Sequence, residues 1–213
     1  MGNTGWKRIS VTIAALTVAV LAQPAMAQFS DSYNFLKAVE DRKGEDVERF
    51  INEPGSGAVI INTKRDGSGE TALHIVTARR DDVWLTYLLA KGANPNIADR
   101  RGTTPLMVAT QLGFTEGVEK LIKYKAVVDA TNRSGETALI RAVQLRNADM
   151  VRILMRAGAN PDKRDTVAGL SAREYAAQDG RASAILGIIE RGGKAEEPKK
   201  PAELDFSGIG EPK

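Results

Sequence analysis

The chain has no cysteine and only one histidine among its 213 residues. The absence of cysteine excludes disulfide bonds, thiolate metal sites and a lipid-modified cysteine. A single histidine, His74, leaves the chain without the imidazole and thiolate ligands that transition-metal sites use. The glycines do not cluster into a phosphate-binding loop after a strand. We therefore expect no catalytic residues, no metal and no cofactor.

The chain also lacks a strong excess of charge of one sign. It has 30 Lys and Arg against 27 Asp and Glu, and without Lys7 and Arg8 of the leader segment the balance is 28 against 27. A nucleic-acid-binding protein needs a strong basic excess on one face. We therefore expect no nucleic-acid partner, and the charge does not indicate a membrane surface either.

Residues 1–27 have the pattern of a secretory signal peptide. Lys7 and Arg8 form a basic start, residues 9–22 are mostly apolar, and Ala25-Met26-Ala27 is a small-x-small cleavage site. An uncleaved anchor is the alternative, but the apolar run is shorter than the roughly 18–20 residues that a span needs. We expect cleavage before Gln28, and an exported protein with no stable membrane span. The lack of cysteine favours a bacterial periplasm, with secretion as the other possibility.

Three glycines at one constant spacing open similar phrases. Gly69, Gly102 and Gly135 are each followed by a threonine two positions later and a leucine four positions later. The surrounding segments can be aligned as units that contain a polar turn, a capping Thr or Ser, a short helix, a polar break and a second helix. A fixed period of this length, about 33 residues, predicts a solenoid of stacked units. The aligned units are residues 66–99, 100–132, 133–165 and 166–194.

The residues at equivalent positions have recurring structural roles. A hydroxyl side chain precedes each first helix, where it can cap the helix, and a leucine follows at a core position in three of the units. Gly92 and Gly158 stand where a helix end favours a left-handed residue. Lys125 occupies this position in the second unit and predicts either strain or a different cap. The expected caps are Thr71, Thr104, Thr137 and Ser171, and the expected core leucines are Leu73, Leu106 and Leu139.

These phrases resemble the ankyrin repeat, a β-turn followed by two antiparallel helices. The matching text is Gly-Glu-Thr-Ala-Leu-His at 69–74, Gly-Thr-Thr-Pro-Leu at 102–106 and Gly-Glu-Thr-Ala-Leu at 135–139, together with the helix ends at 88–96 and 154–162. The resemblance covers about residues 30–194. It implies an all-α ankyrin-repeat solenoid of helix-turn-helix units with short β-turn or hairpin connections, about five repeats including the caps.

The two ends of the repeat domain, assigned to residues 28–194, depart from the pattern. Residues 30–65 predict two helices followed by an extended loop over 52–62, which is typical of an N-terminal capping repeat. The last unit has Arg173 in place of the core leucine and Glu174 in place of the histidine, as expected of a C-terminal cap with one wet face. Residues 195–213 are rich in Pro, Lys and Glu and are predicted to be disordered.

His74 has a functional and a structural interpretation. As a functional residue it would act as a general base or a metal ligand, but no nucleophile is specified beside it. The resemblance to ankyrin repeats implies instead that its imidazole bonds to the backbone of the adjacent turn. The sequence favours this structural role.

The resemblance implies that partners bind a concave face made by the turn tips and the exposed side of the first helices. Leu112 and Leu145 occupy the same position in consecutive units and are expected to lie side by side near basic tips, which is typical of a binding hot spot. Alternatively, these residues complete the packing between repeats and solvate the tips. The predicted partner-binding residues are Arg79, Arg100, Arg101, Thr103, Gln111, Leu112, Arg133, Glu136, Gln144 and Leu145.

The sequence therefore predicts a monomeric interaction module or scaffold of the periplasm or envelope that binds an unidentified protein and is not an enzyme. A protective role toward an envelope enzyme would use the same face. An enzyme or a metal-dependent protein with an acid cluster that the sequence does not reveal is the alternative.

Overall fold

The computed structural model describes residues 31–55 and 57–194, and these residues form eleven helices and no strand. The predicted signal peptide over 1–27 and the predicted disordered tail over 195–213 lie outside the described residues. Helix α1 covers residues 31–40, and α2 (Gly44–Asn52) and α3 (Gly57–Ile60) follow it. The remaining helices form four pairs: α4 (Ala72–Ala78) with α5 (Asp82–Ala90), α6 (Pro105–Gln111) with α7 (Thr115–Lys123), α8 (Ala138–Gln144) with α9 (Ala148–Arg156), and α10 (Ala172–Gln178) with α11 (Ser183–Glu190).

The paired helices stack in two layers. The first helices α4, α6, α8 and α10 pack on one another in chain order, and the second helices form the other layer, where α5 packs on α7 and α9 on α11. The predicted core leucines Leu73, Leu106 and Leu139 are buried, as are Leu88, Leu121 and Leu154 at equivalent positions of the second helices. The repeat period therefore builds one continuous core between the layers.

The predicted caps begin the first helices. The hydroxyl oxygens of Thr104, Thr137 and Ser171 each accept a hydrogen bond from the backbone N–H three residues later, at 3.2–3.4 Å. Pro105 occupies the first position of α6, where its missing N–H removes no helical bond. Each helix therefore begins at the residue that the sequence pattern indicates.

The repeating glycines bring neighbouring turns into contact. Gly102 has a left-handed φ of 78°, and a Cβ atom there would lie 2.9 Å from the backbone nitrogen of Arg133. Gly69 and Gly135 have the same conformation and approach the next turn as closely. Adjacent tips are also joined by backbone hydrogen bonds, such as the one from the Arg133 N–H to the Arg101 carbonyl at 2.9 Å. Glycine at these positions thus allows both the left-handed backbone conformation and the close approach of the next turn.

Of the two alternatives predicted for Lys125, the structure shows the strained one: its φ is 68°, in the left-handed region that Gly92 and Gly158 also occupy. Two further non-glycine residues in the turns between paired helices, Arg80 and Arg146, have φ values of 54° and 53°. Each such residue costs about 1–2 kcal/mol relative to glycine. Stacking against the neighbouring repeats holds these turns in place.

The prediction of an extended loop over 52–62 was wrong. Helix α2 continues to Asn52, and α3 forms a helical turn over Gly57–Ile60. Ile60 and Ile61 are buried against the core, so the segment folds inward instead of crossing the surface. The sequence pattern did not predict α3, because this segment has no counterpart in the repeats.

The last unit has the wet face that its sequence predicts. Arg173 is half-exposed and its guanidinium bonds the carboxylate of Asp162 at 2.7 Å. Glu174 accepts a hydrogen bond from the backbone N–H of Ser171 at 2.8 Å and so closes the start of α10. None of the helices in the described ranges is long and apolar enough to cross a bilayer.

Candidate partner-binding groove

A groove of about 540 Å³ lies between the turn tips and the first helices of three consecutive repeats. Its walls come from α4, α6 and α8 and from the turns that precede them. Six predicted partner-binding residues line it: Arg101, Thr103, Gln111, Leu112, Arg133 and Glu136. Sequence reasoning places these residues on one face, and the stacking of the repeats brings them around one concavity, which we call the repeat groove.

The other four predicted residues do not line the repeat groove. Arg100 and Gln144 are exposed beside it, and Leu145 is 47% exposed, whereas Leu112 is half-buried within it. The two leucines therefore differ in environment although they hold the same position in consecutive repeats. This position places both at the end of a first helix, but only Leu112 borders the groove.

Arg79 has a structural role in joining repeats. Its guanidinium donates to the backbone carbonyls of Val39 and Glu40 at 2.8 and 2.9 Å and to Asp81 at 3.4 Å. The two carbonyls belong to the C-terminal end of α1, where a cation is favoured by the helix dipole. Arg79 thus fastens α1 to the first full repeat, a contact that the sequence did not indicate because residues 30–65 do not follow the repeat.

His74 lies at the floor of the repeat groove with both ring nitrogens engaged. Nδ1 accepts from the backbone N–H of Thr71 at 3.1 Å, and Nε2 donates to the carbonyl of Thr103 in the next repeat at 2.9 Å. Burial lowers the pKa of His74 from its ordinary value. The predicted structural role of His74 is confirmed, because the neutral ring joins two repeats through its hydrogen bonds.

Two carboxylates of the repeat groove are bonded within the protein. Asp99 accepts from the backbone N–H groups of Arg101 and Thr103, both at 2.8 Å. Burial alone would raise the pKa of Asp99, but these bonds and the Arg101 side chain hold it below its ordinary value. Glu136 accepts from the Asn132 amide at 3.1 Å and the Arg141 guanidinium at 2.9 Å. These hydrogen bonds fix the two acids in the turns that precede α6 and α8.

The arginines of the tips point outward. The side chain of Arg101 is 80% exposed although it contacts Asp99 at 3.2 Å. Arg100 and Arg133 are exposed, and their side chains make no hydrogen bond or ion pair within residues 31–55 and 57–194. The exposed rim of the repeat groove is therefore cationic.

Sequence reasoning missed several lining residues of the repeat groove, among them Val108 and Arg141. These two occupy equivalent positions in consecutive repeats, and the change from Val to Arg at one position was a signal that this side of the first helices is accessible. Across the described part of the chain, no group of three or more His, Asp and Glu side chains is placed to hold a metal ion.

Comparison with known proteins identifies the family. A profile of ankyrin repeats (3 copies) matches residues 35–132 and 79–165. The chain is 31% identical over 144 residues to an ankyrin repeat-containing protein of Treponema pallidum (strain Nichols), covering 67% of this chain and 46% of that relative. It is 32% identical over 140 residues to the ANK repeat-containing protein nipk-1 of Caenorhabditis elegans, covering 59% and 22%.

A third match is to the transient receptor potential cation channel subfamily A member 1 of Homo sapiens, with 31% identity over 99 residues, which is 46% of this chain and 9% of the channel. The chain thus spans less than half the length of each of these relatives. Ankyrin repeats are generally protein–protein interaction modules, and proteins that contain them are mostly interaction proteins without enzymatic activity. The shared profile spans more than half of the chain, and the protein therefore belongs to the ankyrin-repeat family.

Proposed function

We propose that the protein is an exported interaction module that binds a protein partner in the repeat groove, in the periplasm or envelope of a bacterium, and that it is not an enzyme. The observation that carries the proposal is the groove itself, a concavity that three repeats line with six of the residues predicted for partner binding. The signal-peptide pattern at the start of the chain supports the proposed location.

The composition of the repeat groove suits a protein partner. Leu112 and Val108 offer half-buried apolar contacts, and Arg101 and Arg133 stand at the rim beside them. Apolar anchors next to arginines are the residue types that contribute most to binding energy at protein interfaces. All four side chains are carried by packed helices or by hydrogen-bonded turns, so little ordering is needed on binding.

The binding proposal is tested by affinity purification of partners with the mature chain from the envelope fraction of the source cells. The test variant combines Leu112→Asp with Arg133→Glu in the repeat groove. The matched control combines Val83→Asp with Lys123→Glu, which make the same chemical changes at exposed positions on the second helices. We expect the control to capture the same proteins as the wild type. The groove variant should capture at least tenfold less of them.

Helicity by circular dichroism shows whether each variant is folded, since only a folded groove variant is informative. Equal capture by a folded groove variant would place the partner site elsewhere. A separate Leu145→Asp variant shows whether the site extends past the groove, because Leu145 is exposed beside it. Fractionation with N-terminal sequencing tests export, and a mature protein that retains residues 1–27 would contradict cleavage before Gln28.

A further inference from the structure

The exposed surface of the repeat groove carries more positive charge than the formal charges of its lining residues indicate. The lining contains three carboxylates, Glu70, Asp99 and Glu136, and three guanidinium groups, from Arg101, Arg133 and Arg141. The formal charges cancel, but the side chains of Asp99 and Glu136 are only 3% and 12% exposed, and Glu70 is half-buried and accepts from the Ser68 hydroxyl at 3.0 Å. The side chain of Arg101 is 80% exposed, and Arg133 is exposed as well. A ligand entering the groove therefore meets cationic groups first.

The same groove has an apolar wall. Ala78 is exposed at the end of α4, and Val108 and Leu112 are half-buried along α6. Arg101 belongs to the turn before α6, and Arg133 belongs to the neighbouring turn before α8. The matching ligand is an extended polypeptide segment in which carboxylates alternate with apolar side chains, because successive side chains of an extended chain point to opposite sides.

The chain itself contains such a segment beyond the described residues. Residues 203–206 read Glu-Leu-Asp-Phe, and the segment 195–213 has five acidic residues against three lysines. Its charge is therefore complementary to that of the exposed groove. No other stretch of residues 195–213 combines alternating acids with two large apolar side chains.

The segment 203–206 is within reach of the repeat groove. The described chain ends against α9, where the Gly193 carbonyl accepts from Nε of Arg156 at 3.0 Å. This end of α9 lies beside the start of α8, which carries groove residues, because the two helices are antiparallel. Leu204 follows Lys194 by ten residues, a span of up to about 33–36 Å when extended. Packed helices are about 8–10 Å apart, so this length passes two helical layers.

We propose that residues 203–206 occupy the repeat groove of their own chain and compete with the partner, a regulation that rests on the proposed function of the groove. Glu203 and Asp205 face the guanidinium groups of Arg101 and Arg133, and Leu204 and Phe206 lie against the apolar wall. A tethered segment has an effective concentration in the millimolar range, so even a weak contact keeps the groove occupied. A partner must displace the segment to bind.

Because the chain has no cysteine, a nitroxide spin label can be placed at one chosen position of the full mature protein. The label is attached at Ser207→Cys, and the broadening of backbone amide signals is measured by NMR. We expect selective broadening at Thr103, Gln111 and Leu112, with the exposed side of α5 and α7 unaffected. Arg101→Glu with Arg133→Glu should abolish it, whereas Lys123→Glu, a charge reversal outside the groove, should leave it unchanged.

Two outcomes would overturn the proposal. The first is broadening that spreads evenly over the surface or persists in the Arg101→Glu/Arg133→Glu variant. The second concerns a mixture of ¹⁵N protein that carries no spin label with spin-labelled ¹⁴N protein. Broadening in this mixture as strong as in the spin-labelled ¹⁵N protein would mean that the segment binds a second copy of the chain. Loss of the broadening when spin-labelled ¹⁵N protein is diluted into protein without label or isotope would lead to the same conclusion.

Partner capture separates this proposal from the proposed function. Leu204→Ala with Phe206→Ala should raise capture of the groove-dependent partner severalfold. If the spin-label effect is present but the groove variant still captures its partners, the proposed function fails and the intramolecular contact stands. If the groove variant loses capture and the spin-label effect is absent, the proposed function stands and the intramolecular contact is wrong.

Discussion

At the scale of single residues, His74 shows how one side chain joins two repeats. Its imidazole accepts from the N–H of Thr71 in its own helix start and donates to the carbonyl of Thr103 in the next turn. Glu174, at the equivalent position of the last unit, makes the first of these bonds with Ser171. No repeat follows the last unit in the described residues, and a carboxylate that accepts only is sufficient there.

The bonds of His74 predict how stability depends on pH. Burial lowers the pKa of His74 below its ordinary 6.5 in the folded state. The contribution of neutral His74 to the free energy of unfolding is therefore fully present above pH 6.5. It is lost as the pH falls, because the unfolded chain binds the proton first. The slope is at most about 1.4 kcal/mol per pH unit. Urea unfolding followed by circular dichroism between pH 7.5 and 5 measures this loss.

His74→Gln is the matched control for the pH dependence, since it keeps a polar side chain that does not titrate. His74 is the only histidine, and the ordinary pKa values of the carboxyl groups, 3.8 for Asp and 4.5 for Glu, lie below this range, so carboxyl protonation adds to the slope only near pH 5. The slope between pH 6.5 and 5 should therefore flatten in the variant. An equal slope in both proteins would show that the His74 proton is not linked to folding.

At the scale of elements, the turns determine how closely the helix pairs stack. Each turn donates a backbone hydrogen bond to the preceding one, and a left-handed glycine makes room for the contact. Gly67 provides a comparison inside the same turn as Gly69. Its φ is 84°, but a Cβ atom there would meet nothing within 4 Å. The two glycine environments separate conformational strain from steric contact.

Gly102→Ala should therefore destabilise the protein more than Gly67→Ala. Gly67→Ala adds only the left-handed strain, about 1–2 kcal/mol. Gly102→Ala adds the same strain and also places Cβ at 2.9 Å from the Arg133 nitrogen, so we expect a further loss of about 1 kcal/mol or more. Urea unfolding of the two variants checks this order. Equal losses would mean that neighbouring turns do not pack as closely as described.

At the scale of the whole molecule, stability depends on contacts between neighbouring repeats. The helices of each unit contact those of the adjacent units, and the buried residues form one continuous cluster. Arg79 extends this coupling to α1 through the carbonyls of Val39 and Glu40. In such an array, a defect in one repeat weakens the interfaces on both sides of it.

Leu106→Ala tests this coupling in a central repeat. The variant removes a buried side chain and leaves a cavity, so we expect a loss of about 2–5 kcal/mol. Hydrogen exchange should become faster in α4 and α8 as well as in α6. Val83→Ala, at a position 76% exposed, should change stability by less than about 0.5 kcal/mol. A loss below about 1 kcal/mol, or faster exchange confined to α6, would contradict this description of the array.

Residues of the repeat groove could be predicted from the sequence where the repeats are regular. Arg101, Thr103 and Arg133 could be placed because their turns keep the repeat period. Arg79 could not, because its partners belong to the irregular N-terminal unit. Arg141 was missed although the change from Val108 to Arg141 at one repeat position indicated an accessible side of the first helices; in the structure it lines the groove and pairs with Glu136.

The sequence by itself determined the family, the helix pairs, the caps and the structural role of His74. Each depends on local backbone preferences or on a position that recurs along the chain, and both can be read from neighbouring residues. The tertiary structure decided that Leu112 borders the repeat groove while Leu145 does not. It also decided that Asp99 and Glu136 are enclosed while Arg101 is exposed. Exposure depends on contacts between distant side chains, and a periodic pattern assigns the same environment to every copy of a position.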